Sequence, residues 1–539
     1  MTATEQQELE MNAAHCQRTN PSKSGKSPRR QRICGAGSFF LLSACLGMSS
    51  ACSPDNATIN SPASGGAQPK GTGGALVSAG ATSTASGGKS EASGGAAGAS
   101  SAAGSPSVVG GPAAGGAFSA AGQSAAAGAA GAAGALAAGG AASGGGGGAG
   151  PVENQSADCA VGTLPEPSAL ASIPKLPDPF MKLDGKRVAS KAEWRCRRQE
   201  IRRQAEKYIL GAKPTPDVVT GTVTKTSATV HVEAKGKSID FSVKIVLPSK
   251  GTAPFPAIIN VGSSGMTIGE SRVLDQGVAV IYYNNYDLGK EGTAEASRGK
   301  PNPGKYYDIY GGDDPAGLLM AWAWGASRLL DVLQKSGREI IDINSIGVTG
   351  CSRLGKGAFT IGVFDDRIAL TIPHEPSTGG DPALRIMDKI SGAERTDYNY
   401  NGLNWLSNNF APFVFANNTS NAVKLPIDTH ALIAMIAPRG LLILENPHQT
   451  QMGAPAGHMA AVAGLEVYKA LGAEKNISYH SSVAETAHCS YKTEYTDLVI
   501  KSIATFLTHK GDAPGQFLVG SGGSLTRSDW IDWTAPALP

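Results

Sequence analysis

Beyond residue 158 the chain alternates two hydrophobic rhythms. Short apolar, β-branched runs at 229–232, 239–247, 256–261, 278–283, 345–349, 368–373, 440–445 and 477–481 read as strands. Segments with apolar residues at helical spacing, 314–335, 456–471 and 493–509, alternate with the later runs. This alternation predicts an α/β fold: a three-layer αβα sandwich around a mostly parallel central sheet. Trp322 and Trp324 fall within the first helical segment, where large apolar rings are expected to pack on the sheet.

One junction in the pattern carries chemistry. The run from Ser345 breaks at Gly350, presents Ser352 and resumes as a helix, which is how an α/β-hydrolase displays its nucleophile. A serine hydroxyl is a weak nucleophile at neutral pH. A sharp turn brings it to a base and faces backbone N–H groups towards the reacting oxygen. The spacing departs from G-x-S-x-G because Gly355 comes one residue late, so an ordinary glycine-rich strand-to-helix turn is the competing reading. The cysteines favour the elbow. Cys159, Cys196, Cys351 and Cys489 are the four from Cys159 onward; Cys351 precedes Ser352 and Cys489 follows His488. A Cys351–Cys489 disulfide ties nucleophile to base, and Cys159–Cys196 forms a second bridge. Zinc ligation by Cys351, His488 and Cys489 is disfavoured by spacing, since neither C-x-x-C nor H-x-x-x-H accompanies them.

An activated serine needs an imidazole, and the imidazole needs a carboxylate. His488 lies on a loop between a late strand and the final helix, where this fold carries its base. His458 falls inside a helical pattern and reads as structural, and His430 and His448 are weaker loop alternatives. His374, preceding a strand-end glutamate, is expected to point away from it by strand alternation. Two acids compete, Glu375 and Glu445, each at a strand's C-terminal end, and residue patterning leaves that choice open.

Composition divides the 539 residues. Residues 53–157 are dominated by Gly, Ala and Ser and offer too little large apolar surface to offset ordering entropy, so they read as a disordered linker. Upstream, residues 1–52 contain a basic stretch with Arg29, Arg30 and Arg32, the apolar run 33–44, and Leu42-Ser43-Ala44-Cys45. These read as an export signal of lipoprotein type, acylated at Cys45 or, by a weaker match, at Cys52; plain secretion is the alternative. Translation starting at Met11 would shorten a leader that is long before its apolar run. Export also supplies the oxidising environment that disulfides need. A net charge of +3, without basic clusters interleaved with aromatics, gives no footprint for nucleic acid. The arginines at 195, 197, 198, 202 and 203 fit a helix with charged faces. A membrane connection is expected only through the lipid anchor, and oligomeric state is not legible.

Several strings resemble the glucuronoyl esterases of carbohydrate esterase family 15: Gly350-Cys-Ser-Arg-Leu-Gly-Lys356, Arg298-Gly-Lys300, Ala321-Trp-Ala-Trp-Gly325, Ile372-Pro-His-Glu375 and His488-Cys489. Trp194-Arg-Cys-Arg-Arg-Gln-Glu200 and Trp530-Ile-Asp-Trp-Thr-Ala-Pro536 extend the resemblance through most of 158–539. It implies a serine esterase that cleaves esters between 4-O-methyl-glucuronic acid of glucuronoxylan and lignin alcohols, without metal or cofactor. By that resemblance Ser352 is the nucleophile, His488 the base and Glu375 the acid, with Glu445 second. It further implies that Arg353 supports the oxyanion and that Lys356 bonds sugar hydroxyls. A cation at a helix N-terminus is otherwise out of place. The sequence departs from the family after Glu445, where 446–452 lacks the expected sugar-stacking tryptophan. Trp405, from the insertion 397–410, is the aromatic available to the cleft. An acetyl xylan esterase and a non-catalytic polysaccharide-binding surface lipoprotein are the alternative functions.

Overall fold

The computed structural model describes residues 151–291, 303–401 and 404–539. The export signal with Cys45 and Cys52, the linker up to residue 150, and Arg298-Gly-Lys300 lie outside these residues.

Ten strands form one sheet: β1 (Val218–Val223), β2 (Ser227–Ala234), β3 (Lys237–Val246), β4 (Phe255–Val261), β5 (Ala279–Tyr283), β6 (Ile341–Cys351), β7 (Ile368–His374), β8 (Gly440–Leu444), β9 (Ile477–His480) and β10 (Phe517–Leu518). Their order is β1-β2-β3-β5-β4-β6-β7-β8-β9-β10. β1, β2, β3 and β5 pair antiparallel, and every pairing from β5 onward to β10 is parallel. Burial follows the pairing type. β2 and β3 alternate buried with more exposed positions, as a sheet wetted on one face does, whereas β5 and β8 are buried at every residue because helices cover both faces. β1 and β10 were not legible as strands: Gly221 interrupts the first, and the second is only two residues long.

The main helices are α1 (Lys191–Ala205), α2 (Leu318–Ser336), α3 (Arg353–Phe364), α4 (Thr429–Ile436), α5 (Ala454–Ala470) and α6 (Thr496–Phe506). On one sheet face Ile259, Ile281 and Val348 share a core with α2, α3, α4 and α5. On the other, the alternate residues Ile258, Val280, Leu370 and Leu442 pack with Leu498, Val499 and Ile503 of α6. These are the three layers that the hydrophobic rhythm predicts. Trp322 and Trp324 are fully buried, and their Nε1 atoms donate to the carbonyls of Gly289 at 2.8 Å and Pro214 at 3.0 Å. Burying an indole therefore leaves no unpaired donor.

The folded domain begins earlier than the composition change suggests. Residues 151–157, which by composition belong to the linker, dock on the domain through polar contacts that composition does not weigh. The Gln155 N–H donates to Asp366 at 2.9 Å, and Glu153 pairs with Lys213 at 2.8 Å and with Arg328. Both cations are almost wholly buried. Burial opposes the charge on Glu153, but Lys213 and Arg328 overcome it and hold the carboxyl down at about 2, against 4.5 ordinarily. The Cys159–Cys196 bridge then fastens the segment to α1. In α1 itself the expected charged faces are partly interior: Arg197 and Arg202 are buried, held by Glu200 and Glu206.

Glu153→Gln leaves two buried cations short of a partner and is expected to lower stability by about 3 kcal/mol at pH 7, measured by urea unfolding. Because the folded-state pKa is depressed, this contribution is complete above pH 4.5 and is lost as pH falls towards 2, so the wild-type advantage shrinks across that window.

Candidate active site

β6 ends at Cys351 and α3 starts at Arg353, leaving Ser352 at the corner with φ 57° and ψ −129°. A residue with a side chain in this region of backbone space carries strain of order 1–3 kcal/mol, so the surroundings must enforce it. The serine N–H donates to the His374 carbonyl at 2.9 Å, continuing the β6–β7 ladder through the corner. Both glycines are needed for close approach. A side chain at Gly350 would meet the Leu354 carbonyl at 2.4 Å, and one at Gly355 the His374 carbonyl at 2.8 Å. The late second glycine is thus a position where the start of α3 passes close to the end of β7.

Ser352, Glu375 and Glu445 occupy equivalent places on adjacent strands. Each N–H donates to the last residue of the next strand: Ser352 to His374, Glu375 to Leu444, and Glu445 to His480. Glu375 takes φ 44°, which breaks the strand alternation and turns its carboxylate towards the loop after β9. There its Oε2 accepts from His488 Nδ1 at 2.6 Å and from the Cys489 N–H at 3.0 Å. Its Oε1 accepts from Lys492 Nζ at 2.6 Å, with both side chains inaccessible to solvent. His374 also reaches it, with Nε2 3.3 Å from Oε1 and Nδ1 3.0 Å from Thr267 Oγ1. The expected divergence of His374 from Glu375 is therefore corrected, because alternation holds only while both residues are extended. Burial alone would raise the Glu375 pKa, but His374, His488 and Lys492 outweigh it and hold the carboxyl far below its usual range.

Glu445 has the opposite environment. Both of its oxygens lack a hydrogen-bond partner, and burial with the nearby charges of Asp381 and Glu375 pushes its pKa well up. Asp381, lining the same space beside Gly457, is driven by burial to about 7. Glu445 makes no contact with His488 among the described residues.

The Cys351–Cys489 bridge joins Cα atoms 5.8 Å apart and sets the residue before Ser352 against the residue after His488. His488 Nε2 lies 3.5 Å from Cys489 Sγ, and no hydrogen bond joins it to Ser352 Oγ among the described residues. His458 packs against Tyr479 and Phe517, His430 is buried on the Pro177 carbonyl, and His448 meets the Val483 carbonyl. None of these three contacts Ser352 or Glu375 through a hydrogen bond.

Beside Ser352 lies a compact group of charges and rings. Arg353 Nη1 donates to Glu291 at 2.8 Å, and Trp405 Nε1 donates to the other oxygen of Glu291 at 2.7 Å. Lys356 is buried, pairs with Glu394 at 3.1 Å, and lies 4.6 Å from the centre of the Trp405 ring. Burial lowers its pKa against the opposing pull of Glu394. The tryptophan-free segment 446–452 instead braces the loop that carries His488, since Asn446 and Gln449 both donate to the Thr486 carbonyl. Among the described residues, the grouping with metal-ligand proximity is Cys351, His374 and Glu375, and the sulfur of Cys351 is committed to the bridge. Sequence reasoning missed Lys492 and Glu291. Lys492 left one faint signal, a cation four residues past His488; Glu291 left none, because only tertiary folding brings it to Arg353.

A family model described as glucuronyl esterase, fungi, matches residues 230–472. The 4-O-methyl-glucuronoyl methylesterase of Hypocrea jecorina is 36% identical over 380 residues, covering 70% of this chain and 78% of that protein. Its counterpart in Thermothelomyces thermophilus is 39% identical over 370 residues, covering 67% and 88%. Among solved structures, the Hypocrea jecorina glucuronoyl esterase catalytic domain superposes with a TM-score of 0.63 at 34% identity, covering 70% of this chain and all of that one. A serine-to-alanine mutant of the Sporotrichum thermophile glucuronoyl esterase, in complex with methyl 4-O-methyl-β-D-glucopyranuronate, gives 0.62 at 37% identity, covering 69% and 97%.

Lys492→Met strips a buried anion of its buried cation and is expected to destabilise the protein by about 3 kcal/mol at pH 7. Glu375 has a depressed pKa, so the deficit is full above pH 4.5, the ordinary carboxyl value, and narrows as pH falls below it. Thermal unfolding of both proteins from pH 7 to pH 3 checks the size and the direction.

Proposed function

The chain belongs to the glucuronoyl esterase family and is a carboxylic ester hydrolase; from this we propose that it cleaves the ester joining 4-O-methyl-D-glucuronic acid of glucuronoxylan to lignin alcohols, using Ser352, His488 and Glu375. The observation that carries the reading is the 2.6 Å contact of Glu375 with His488 Nδ1, on a loop bridged to the residue before Ser352. Glu375 fixes the tautomer that leaves Nε2 basic and balances the imidazolium once it forms.

In the first step Ser352 Oγ attacks the uronoyl carbonyl carbon and its proton passes to His488 Nε2. The carbonyl oxygen becomes an oxyanion, which the Arg353 N–H and guanidinium stabilise. N–H groups of a helix's first turn point out of its start, the direction from which an anion is met. Collapse breaks the bond to the alcohol, which leaves with the proton from His488. Water, deprotonated by the same imidazole, then attacks the glucuronoyl-serine ester, restoring Ser352 and releasing the acid. Lys356 forms the side of the site that takes the sugar, its ammonium facing hydroxyls, and the buried Trp405 ring backs that ammonium. Glu445, whose pKa burial pushes well up, serves as buried structure.

We also infer that the chain is exported with its two disulfides, held through Cys45 or Cys52 or simply secreted, and that the segment before residue 151 is a spacer. The enzymatic domain then acts on polymer outside the cell.

Ser352→Ala is expected to cut turnover of benzyl glucuronate by roughly 10⁵-fold with unfolding behaviour unchanged. Lys356→Ala is expected to lower kcat/KM about 100-fold on glucuronate esters and much less on simple alkyl esters. Steady-state assays run in parallel on acetylated xylan test the substrate: acetyl release alone makes the protein a deacetylase, and neither activity makes it a binding protein.

A further inference from the structure

Glu291 is buried to 10% side-chain exposure and lies outside every motif legible in the sequence, yet it joins the two halves of the cleft. One oxygen accepts from Arg353 at the start of α3, the other from the indole of Trp405 in the insertion after β7. The Arg353 guanidinium also lies 5.9 Å from the Trp405 ring centre, so a single carboxylate holds cation and ring in mutual contact.

We propose that Glu291 is a positioning residue for the ester hydrolysis: it orients the Arg353 guanidinium towards the oxyanion and holds the buried Trp405 ring against it. This rests on the reading of Arg353 as oxyanion support. A guanidinium on a long side chain loses much of its rotamer freedom only when its planar fork is engaged, and an ion pair with a buried carboxylate engages it. Placement matters because oxyanion donors act only when aimed at the developing charge before it forms. Electrostatics alone argues the reverse sign. The Glu291 charge offsets the positive field of Arg353 and Lys356, so a purely electrostatic role would make its removal accelerate the reaction. The two accounts therefore predict opposite changes in kcat.

The test is a double-mutant cycle on benzyl glucuronate with Glu291→Gln and Arg353→Ala. The glutamine side chain would keep an acceptor for Trp405 and lose the anionic acceptor for Arg353. The expected result is a roughly 10-fold fall in kcat for Glu291→Gln, KM within about 2-fold, and a double variant no slower than Arg353→Ala alone. Glu291→Asp, which retains the charge, recovers part of the rate and serves as the comparison if the glutamine variant is unstable. Unchanged or raised kcat in Glu291→Gln, or losses that simply multiply in the double variant, overturns the proposal. A normal kcat in Arg353→Ala instead overturns the oxyanion reading beneath it, which keeps the two failures apart.

Discussion

The end of the sheet that carries Ser352 and His488 is organised around a carboxylate closed off from solvent. Glu375 is fully buried, and an anion there is tolerable only because donors arrive from His488, Cys489 and Lys492 of one loop, with His374 Nε2 a further 3.3 Å neighbour. The loop between β9 and α6 gives this one acceptor three of its polar groups, while Val483 and Tyr495 anchor it to the core. The disulfide at Cys489 adds a covalent limit to the same arrangement. Asn446 and Gln449 brace the loop from the other side.

Backbone strain is the second constraint, and it falls on the residues that matter. Ser352 and Glu375 both have positive φ, although neither is a glycine. Each sits one residue beyond the end of a parallel strand, with its N–H still engaged in the ladder, so the sheet holds the entry to the turn while the side chain leaves the regular direction. Without that turn Glu375 would follow strand alternation and fail to reach the histidine. Glu445, at the equivalent place on β8, makes no such turn and meets no donor. Two glutamates at equivalent sheet positions thus have their pKa values pushed in opposite directions, because one is met by donors and the other by burial and the charges of Asp381 and Glu375.

The cationic side of the cleft follows the same logic at smaller scale. Arg353 and Lys356 lie on the first turn of α3, where the helix dipole disfavours positive charge, and each is matched by one carboxylate, Glu291 and Glu394 respectively. Trp405 lies against both cations. The arrangement keeps positive charge near the serine without leaving a cation unpaired at the helix start.

Much of this was legible in one dimension, because periodicity and chain order are one-dimensional properties. Alternating apolar runs and helical segments specify a covered parallel sheet, and a β-branched run broken at Gly350 marks the corner that bears Ser352. Cysteines adjacent to Ser352 and His488 link residues 138 positions apart. The strings around Ser352 and Glu375 carry the family resemblance. Folding in three dimensions decided the rest. Whether Glu375 or Glu445 meets the histidine depends on one backbone dihedral that no residue pattern encodes, since glutamate rarely adopts it unforced. That Lys492 and His374 serve the same carboxylate, that Glu291 joins Arg353 to Trp405, and that 151–157 belong to the domain all depend on polar contacts between distant segments. Such contacts leave no periodic trace, because a hydrogen bond needs only two groups to arrive at one place, and only the tertiary structure brings them there.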